Sequence, residues 1–223
     1  MASDAHRHTD RRRTPDPGTG TAGGRPLRAD AARNQQRIVR AARDTFDEVG
    51  YGAPLEQVAA RAGVGIATLY RRFGTKEELL RAVFELRFRE GIDPVVERAL
   101  RGDDAWRGMV EVIEAWAGMI AQSGPSAMMA QDTVFCDESS ARFYRPLEEL
   151  VRRAQEHGQA RADLVPGDMM RVLAMLGGVV FTVEKGGDGW RRYVALLLDA
   201  LRPSAATDPL PPAAPFVLPG EWC

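Results

Sequence analysis

Apolar residues recur at steps of three and four along most of this chain, and glycine or proline interrupts the pattern at short intervals. This spacing is typical of helices with one buried face, and the interruptions indicate the turns between them. The sequence therefore predicts an all-α fold, with short helices before residue 76 and longer helices after it.

The first predicted helix runs from Asn34 to Val49, and Gly50 after it suits a left-handed C-cap. Pro54 suits the first position of a second helix, which ends at Gly63. A third short helix, IATLYRRF, follows almost at once, and the sequence TKEE at residues 75–78 is a capping box that begins a fourth helix.

Two helices of about eight residues that are joined by a glycine turn cross steeply and form a helix-turn-helix, whose second helix enters the major groove of DNA. The exposed positions of that helix and its neighbours are therefore candidate DNA contacts. They are Gln57, Ile66, Ala67, Thr68, Tyr70, Arg71, Arg72 and Lys76.

The charge distribution supports this interpretation. Residues 31–76 carry eight basic and four acidic side chains, whereas residues 77–223 carry sixteen and twenty-three. A basic N-terminal third on an acidic remainder indicates that one end of the chain meets a polyanion.

Four motifs follow one another between Phe46 and Leu80: F-x-x-x-G-Y, V-A-x-x-A-G-V, T-L-Y-x-x-F and K-x-E-L-L. In order and spacing they resemble the DNA-binding domain of the TetR/AcrR family of bacterial transcriptional regulators, over residues 33–84. The resemblance implies an all-helical homodimer that binds a palindromic operator and releases it when a small molecule enters the C-terminal domain. It further implies that Ile66, Ala67 and Tyr70 face bases, and that Thr68, Tyr70, Arg71, Arg72 and Lys76 hold phosphates.

Two features depart from the family pattern. The second helix begins with Ala53, Pro54 and Leu55 instead of a capping threonine or serine, and residues 65–67 are Gly-Ile-Ala, which offer no hydrogen bonds to base edges. Sequence specificity is then expected from contacts with thymine methyl groups, from Tyr70, and from Glu56 and Gln57.

The predicted organisation has four parts. Residues 1–30 are a disordered basic arm, 31–77 the helix-turn-helix domain, 78–202 a C-terminal helical ligand-binding and dimerisation domain, and 203–223 a proline-rich tail. The longest apolar run, residues 169–183, is too short to span a membrane. Two cysteines far apart imply no disulfide framework, so we expect a cytoplasmic protein.

Further helices are predicted at about 76–91, 93–101, 104–121, 125–133, 138–157, 166–185 and 189–201. In the family the last two pair with their copies in a partner, and their apolar stripes predict a dimer interface. A core formed only within the chain is the competing explanation for these stripes, and it stays open. Its predicted members are Met169, Val172, Leu173, Leu176, Val180, Trp190, Tyr193 and Leu197.

Aromatic and methionine side chains at helical spacing fill the middle of the C-terminal part, and they predict a pocket for a small, largely apolar effector. The predicted lining residues are Trp106, Met109, Ile113, Trp116, Met119, Met128, Gln131, Phe135, Phe143 and Tyr144. At helical spacing such side chains are also typical of a plain core, and that interpretation stays open.

Enzymatic chemistry finds little support, because two of the three histidines lie in the N-terminal arm and no phosphate-binding glycine loop or nucleophile motif is present. We expect no metal site and no cofactor. Two alternatives to an effector-released repressor stay open: a helix-turn-helix protein without an effector, and a helical carrier or enzyme with an incidental basic end.

Overall fold

The computed structural model describes residues 24–123, 138–180, 182–184 and 186–214. Over these ranges the chain is helical and contains no β-strand, which confirms the all-α prediction. In chain order the helices are α1 Gly24–Val49, α2 Leu55–Ala62, α3 Ile66–Arg72, α4 Lys76–Gly91, α5 Asp93–Arg101, α6 Ala105–Ser123, α7 Glu138–Glu156, α8 Pro166–Val180 and α9 Trp190–Ala200, with a 3₁₀ turn at Pro203–Ala205.

Helix α1 begins at Gly24 and not at Asn34, so residues 24–30 are helical where we predicted disorder. The reason is local propensity, since leucine, alanine and two arginines in this segment favour helix and Pro26 lies in the first turn, where proline is tolerated. By contacts the chain divides into two compact units, Met1–Asn34 and Gln35–Cys223. Every contact described below lies within the second unit.

The predicted C-cap of the first helix is confirmed, whereas the second helix begins one residue later than predicted. Gly50 ends α1 with a φ of 91°, and its N–H donates to the carbonyl of Phe46 over 3.0 Å. At the start of α2, Pro54 is the N-cap residue and not the first helical residue that we predicted, and no side chain caps this end. Helix α2 therefore depends on its buried face for stability more than on its ends.

One continuous core joins all nine of these helices, from Ile38 in α1 to Leu201 after α9. Helix α6 lies at its centre and packs against α4, α5, α7, α8 and α9, because most of its side chains are apolar and buried. The core continues across residues 77 and 78, so the boundary predicted there remains a prediction about function.

Helix α8 ends at Val180, earlier than the predicted residue 185. Both the N–H and the hydroxyl of Thr182 donate to the carbonyl of Val179 over 2.8 Å, and this tight turn replaces the helical bonding. Gly186 follows with a φ of 75°. The predicted helix at 125–133 lies outside the described residues.

The first part of the proline-rich tail is tied to the folded body. The N–H of Leu210 donates to Asp163 over 2.8 Å, and Arg161 donates to the carbonyl of Asp208 over 3.2 Å. Further along, Arg171 donates to the carbonyl of Ala214 over 3.1 Å. Within the described ranges, no helix is both long enough and apolar enough to cross a membrane.

Candidate functional site

Helices α2 and α3 form a helix-turn-helix around the turn at residues 63–65. Gly63 has a φ of 64° and a ψ of 38°, in the left-handed region that favours glycine. Its N–H and that of Val64 donate back to the carbonyls of Ala60 and Ala59 over 3.1 and 3.0 Å, which closes α2. The buried side chains of the two helices are Leu55, Val58, Ala59, Ala62 and Leu69.

The outward side of this motif carries the predicted DNA contacts. Tyr70 is 49% exposed, although large aromatic side chains are usually covered. Its exposed companions are Gln57, Ala67, Arg71 and Arg72. Ile66 and Thr68 are half-buried, and Ile66 packs partly against the core, so a smaller part of each can reach DNA.

The arginines of this region differ in their partners. Arg61 on α2 donates twice to the carboxylate of Glu48, over 2.7 and 2.6 Å, so its charge is used within the chain. Arg72 donates to the side-chain oxygen of Gln35, a neutral acceptor that orients the guanidinium and leaves its charge in place. The charge of Arg72 therefore remains available to a phosphate.

Lys76 lies at the first position of α4 but its ammonium points at the protein. Its Nζ donates to the carbonyl of Ala53 over 2.9 Å and lies 4.6 Å from the ring centroid of Tyr51 and 5.8 Å from that of Phe46. The side chain is half-buried. The structure thus gives Lys76 three partners in its own chain, where we predicted a phosphate contact.

Glu77, the next residue of α4, is also held by Tyr51, whose hydroxyl donates to it over 3.2 Å. The hydrogen bond from its own backbone N–H, and then those from Thr75 and Tyr51, lower the pKa of Glu77. Burial, and then the charge of Glu77, raise the pKa of Tyr51. The carboxylate is therefore an ionised acceptor and the phenol a neutral donor.

The predicted capping box at the start of α4 is present. Thr75 Oγ1 accepts from the N–H of Glu78 over 3.1 Å, and Glu78 Oε2 accepts from the N–H of Gly74 over 3.0 Å. The returning bond therefore ends one residue before the usual N-cap amide. Two otherwise free N–H groups at this junction are satisfied.

The C-terminal half of α4 is joined to α1 by two reciprocal ion pairs. Arg43 on α1 donates to Glu90 over 2.9 Å, and Arg87 on α4 donates to Asp47. Arg87 is only 12% exposed and also donates to the hydroxyl of Ser123 at the end of α6. Sequence reasoning missed these residues, although the opposite charges at i, i+4 on α1 and i, i+3 on α4 were a visible signal.

These ion pairs line one side of an open cleft of about 810 Å³. Residues of α5, a largely half-buried stripe of α6 and residues 186–191 form the rest of its lining. Its charged lining residues are Arg43, Asp47, Arg87, Glu90, Arg98, Glu111, Glu114, Asp188 and Arg191. With four arginines against five carboxylates, the cleft is polar and close to neutral.

The predicted apolar pocket does not coincide with this cleft. Of its proposed members only Met119 lines the cleft. The others that the structure describes are buried in the common core, or half-buried for Tyr144, and pack against neighbouring helices; they are Trp106, Met109, Ile113, Trp116, Phe143 and Tyr144. Met128, Gln131 and Phe135 lie outside the described residues.

The predicted dimer interface requires a correction. Six of its eight members are buried within their own chain, with at most 6% of each residue exposed: Met169, Val172, Leu173, Leu176, Val180 and Trp190. Leu197 is half-buried and Tyr193 is 38% exposed. The large apolar side chains exposed on these two helices are Met175 (55%), Tyr193 and Leu196 (55%), because the predicted stripe faces α6 and the core.

Among the described residues, no group of three or more histidine, cysteine, aspartate or glutamate side chains could hold a metal ion. Exposed arginines lie on the helix-turn-helix, and a polar cleft with nearly balanced charges lies beside α4.

Known proteins resemble this chain in sequence and in fold. The sequence model for bacterial regulatory proteins of the tetR family matches residues 38–83. The TetR transcription regulatory protein from Mycobacterium vanbaalenii is 32% identical, with 79% of this chain and 99% of that chain covered and a TM-score of 0.51. A search of curated proteins finds no match.

Two other solved structures agree. A TetR transcriptional regulator from Streptomyces coelicolor is 26% identical over 76% of this chain and 99% of that chain, with a TM-score of 0.54. A TetR-family regulator from Pectobacterium atrosepticum, at 22% identity, shares the fold with a TM-score of 0.62 over 82% and 99% of the two chains. With its helix-turn-helix and these similarities, the chain belongs to the TetR family of bacterial transcriptional regulators, which bind DNA and are not enzymes.

Proposed function

We propose that this protein is a homodimeric repressor that binds a palindromic operator in the cytoplasm and is released by a small molecule. The observation that carries the proposal is the exposed face of α3, where Tyr70 and Arg71 project from a helix-turn-helix whose inner side chains are buried. A short helix with a rigid inner face and an exposed aromatic and cationic outer face suits a major groove.

The contacts divide into two kinds. Ala67, the exposed part of Ile66 and the ring of Tyr70 lie against base edges, where their apolar groups suit thymine methyl groups. Thr68, Arg71 and Arg72 bind phosphates, and Arg72 is aimed by Gln35. Gln57 on α2 adds hydrogen bonds that Gly65, Ile66 and Ala67 cannot offer.

Dimerisation uses the outer faces of α8 and α9. Met175 on α8, and Tyr193 and Leu196 on α9, place exposed apolar groups on two helices that pack against each other. Such a surface suits a second copy of itself in a four-helix arrangement. Two recognition helices held about 34–36 Å apart then meet successive major grooves on one face of DNA.

The effector binds in the cleft beside α4, and we therefore propose a polar effector in place of the apolar one that the sequence predicted. A cavity of about 810 Å³ has the size of a small-molecule site. Its charged groups include both α1–α4 ion pairs, so a ligand that competes for them shifts α4 relative to α1. A coupling of about 1–3 kcal/mol would suffice for a 5- to 150-fold change in operator affinity.

The DNA-binding part is tested by selecting genomic fragments with the purified protein and titrating the best fragment at several salt concentrations. Wild type, Tyr70→Ala and Arg71→Ala are compared with Arg101→Ala, which removes a 73% exposed arginine on α5. We expect a palindromic site, a steep salt slope, loss of binding in the first two variants and wild-type binding in the third. Weak binding that ignores sequence and all three substitutions would contradict the proposal.

The effector part is tested with Asp47→Asn, which weakens one α1–α4 ion pair and imitates a competing ligand. We expect lower operator affinity without any ligand, while Glu97→Gln, an exposed carboxylate on α5, leaves it unchanged. Unchanged affinity in Asp47→Asn would favour a protein that binds DNA without an effector.

A further inference from the structure

Lys76 joins the two turns that flank the helix-turn-helix. Ala53, whose carbonyl accepts from Lys76 Nζ, immediately precedes the N-cap of α2, whereas Lys76 begins α4. Helices α2 and α3 lie between these points. We propose that Lys76 is a positioning residue, which fastens the turn before α2 to the start of α4 and so fixes the angle of the recognition helix.

The chemistry around Nζ supports a structural role for the ammonium. The bond to Ala53 is charge-assisted, and the rings of Tyr51 and Phe46 both lie within the distance at which a cation is attracted to an aromatic ring. A half-buried ammonium that swung out to a phosphate would lose all three contacts. Exposed Arg71 has no such cost.

Tyr51 contacts a second residue of α4 in addition to Lys76. Its ring contacts the cation of Lys76 and its hydroxyl donates to the carboxylate of Glu77, so one side chain holds two consecutive residues of opposite charge. These contacts act on the first turn of α4, which Thr75 also caps. The start of α4 is therefore held against the end of α1 from two sides.

Movement of this junction is passed to α3 through a very short connection. Only residues 73–75 separate the end of α3 from Lys76. Phe73 is buried, and its N–H donates to the carbonyl of Leu69 over 2.8 Å. Releasing Lys76 therefore tilts the recognition helix without changing its own side chains.

The inference rests on the proposed DNA binding, and the test separates a phosphate contact from a positioning role. Operator affinity is measured at several salt concentrations for wild type, Lys76→Met and Arg71→Met, beside affinity for a scrambled duplex. Each lost phosphate contact lowers the slope of log affinity against log salt by about 0.9. We expect Arg71→Met to lower the slope. Lys76→Met should weaken operator binding about tenfold, keep the wild-type slope and leave scrambled-duplex binding unchanged.

A loss of slope in Lys76→Met that matches Arg71→Met would overturn the inference. Tyr51→Leu provides a second variant if Lys76→Met is poorly folded, since it removes the ring and the hydroxyl but no charge. It should also weaken operator binding at constant slope. Unchanged operator affinity in Tyr51→Leu would count equally against the positioning role.

A measurement without DNA keeps this inference distinct from the proposed function. Unfolding by urea is followed for wild type, Lys76→Met, Tyr51→Leu and the double variant. If Lys76 and Tyr51 act together, the double variant loses clearly less stability than the two single losses combined. Additive losses would overturn the joint role of Lys76 and Tyr51, whether or not the protein binds DNA. Failure of the wild-type protein to bind DNA selectively would overturn only the proposed function.

Discussion

The helix-turn-helix and the α8–α9 pair both carry periodic apolar patterns, yet only the first has its faces where the pattern predicted them. Leu69 is buried, whereas Tyr70 and Arg71, which were predicted to face DNA, are exposed. In α8, by contrast, Leu173 was assigned to a partner and is buried in its own chain, while Met175 is 55% exposed. Periodicity indicates that a face is buried but does not say what covers it.

The difference follows from the amino acids available to each helix. Helix α3 buries only Leu69 and carries Arg71 and Arg72 in its last turn, so the sequence indicates clearly which side faces the core. Helix α8 has methionine and valine on several sides, and only its position beside α6 decides which of them point inward.

The largest expected effect is on stability, and it tests which side of α8 is buried within the chain. Leu173→Ala removes a fully buried side chain from the core, and we expect the free energy of unfolding to fall by about 2–5 kcal/mol. Met175→Ala is the matched control on the exposed side of α8, with an expected change within about 0.5 kcal/mol.

The measurement is urea denaturation of both variants at two protein concentrations. A loss in Leu173→Ala that disappears at the lower concentration would show that a partner covers Leu173, because dissociated chains would then have nothing to lose there. A larger loss in Met175→Ala than in Leu173→Ala would reverse the assignment of the two faces.

Sequence reasoning succeeded where a feature depends on neighbours in the chain. The glycine at position 63, the capping threonine at position 75 and the bounds of α4 depend on contacts a few residues away, and all were predictable. The cleft was not, because Arg43 meets Glu90 and Arg87 meets Asp47 only after α1 and α4 pack together. The same holds for Lys76, whose expected phosphate role came from its position and whose observed partners come from two other segments.

The second prediction concerns the outer face of α9. Leu196→Asp places a charge in the proposed interface, at a side chain that is 55% exposed, and we expect the dimer dissociation constant to rise at least about tenfold, or about 1.4 kcal/mol. Val49→Asp makes the same kind of change at a 57% exposed position at the end of α1 and should leave the dimer intact.

Analytical ultracentrifugation over a range of concentrations checks this prediction, with thermal unfolding as a test that both variants remain folded. Leu196→Asp that stays dimeric would mean that the exposed side chains of α8 and α9 are not the interface. The exposed faces of α8 and α9 would then have no assigned partner, and the dimer would have to form through another surface.

The smallest expected effect on stability concerns the Thr75 cap at the start of α4, which the sequence predicted. Thr75→Ala removes the hydroxyl that accepts from the N–H of Glu78, and such a cap contributes about 1 kcal/mol. Thr75→Ser keeps the acceptor and should retain most of that stability. A further result to look for is that Thr75→Ala weakens operator binding more than its loss of stability explains, while Thr75→Ser does not. That result would mean that the Thr75 cap and Lys76 both fix the position of the start of α4. Equal stability and affinity in both variants would instead mean that the side chains packed around Tyr51 position α4 without help from its first-turn hydrogen bonds.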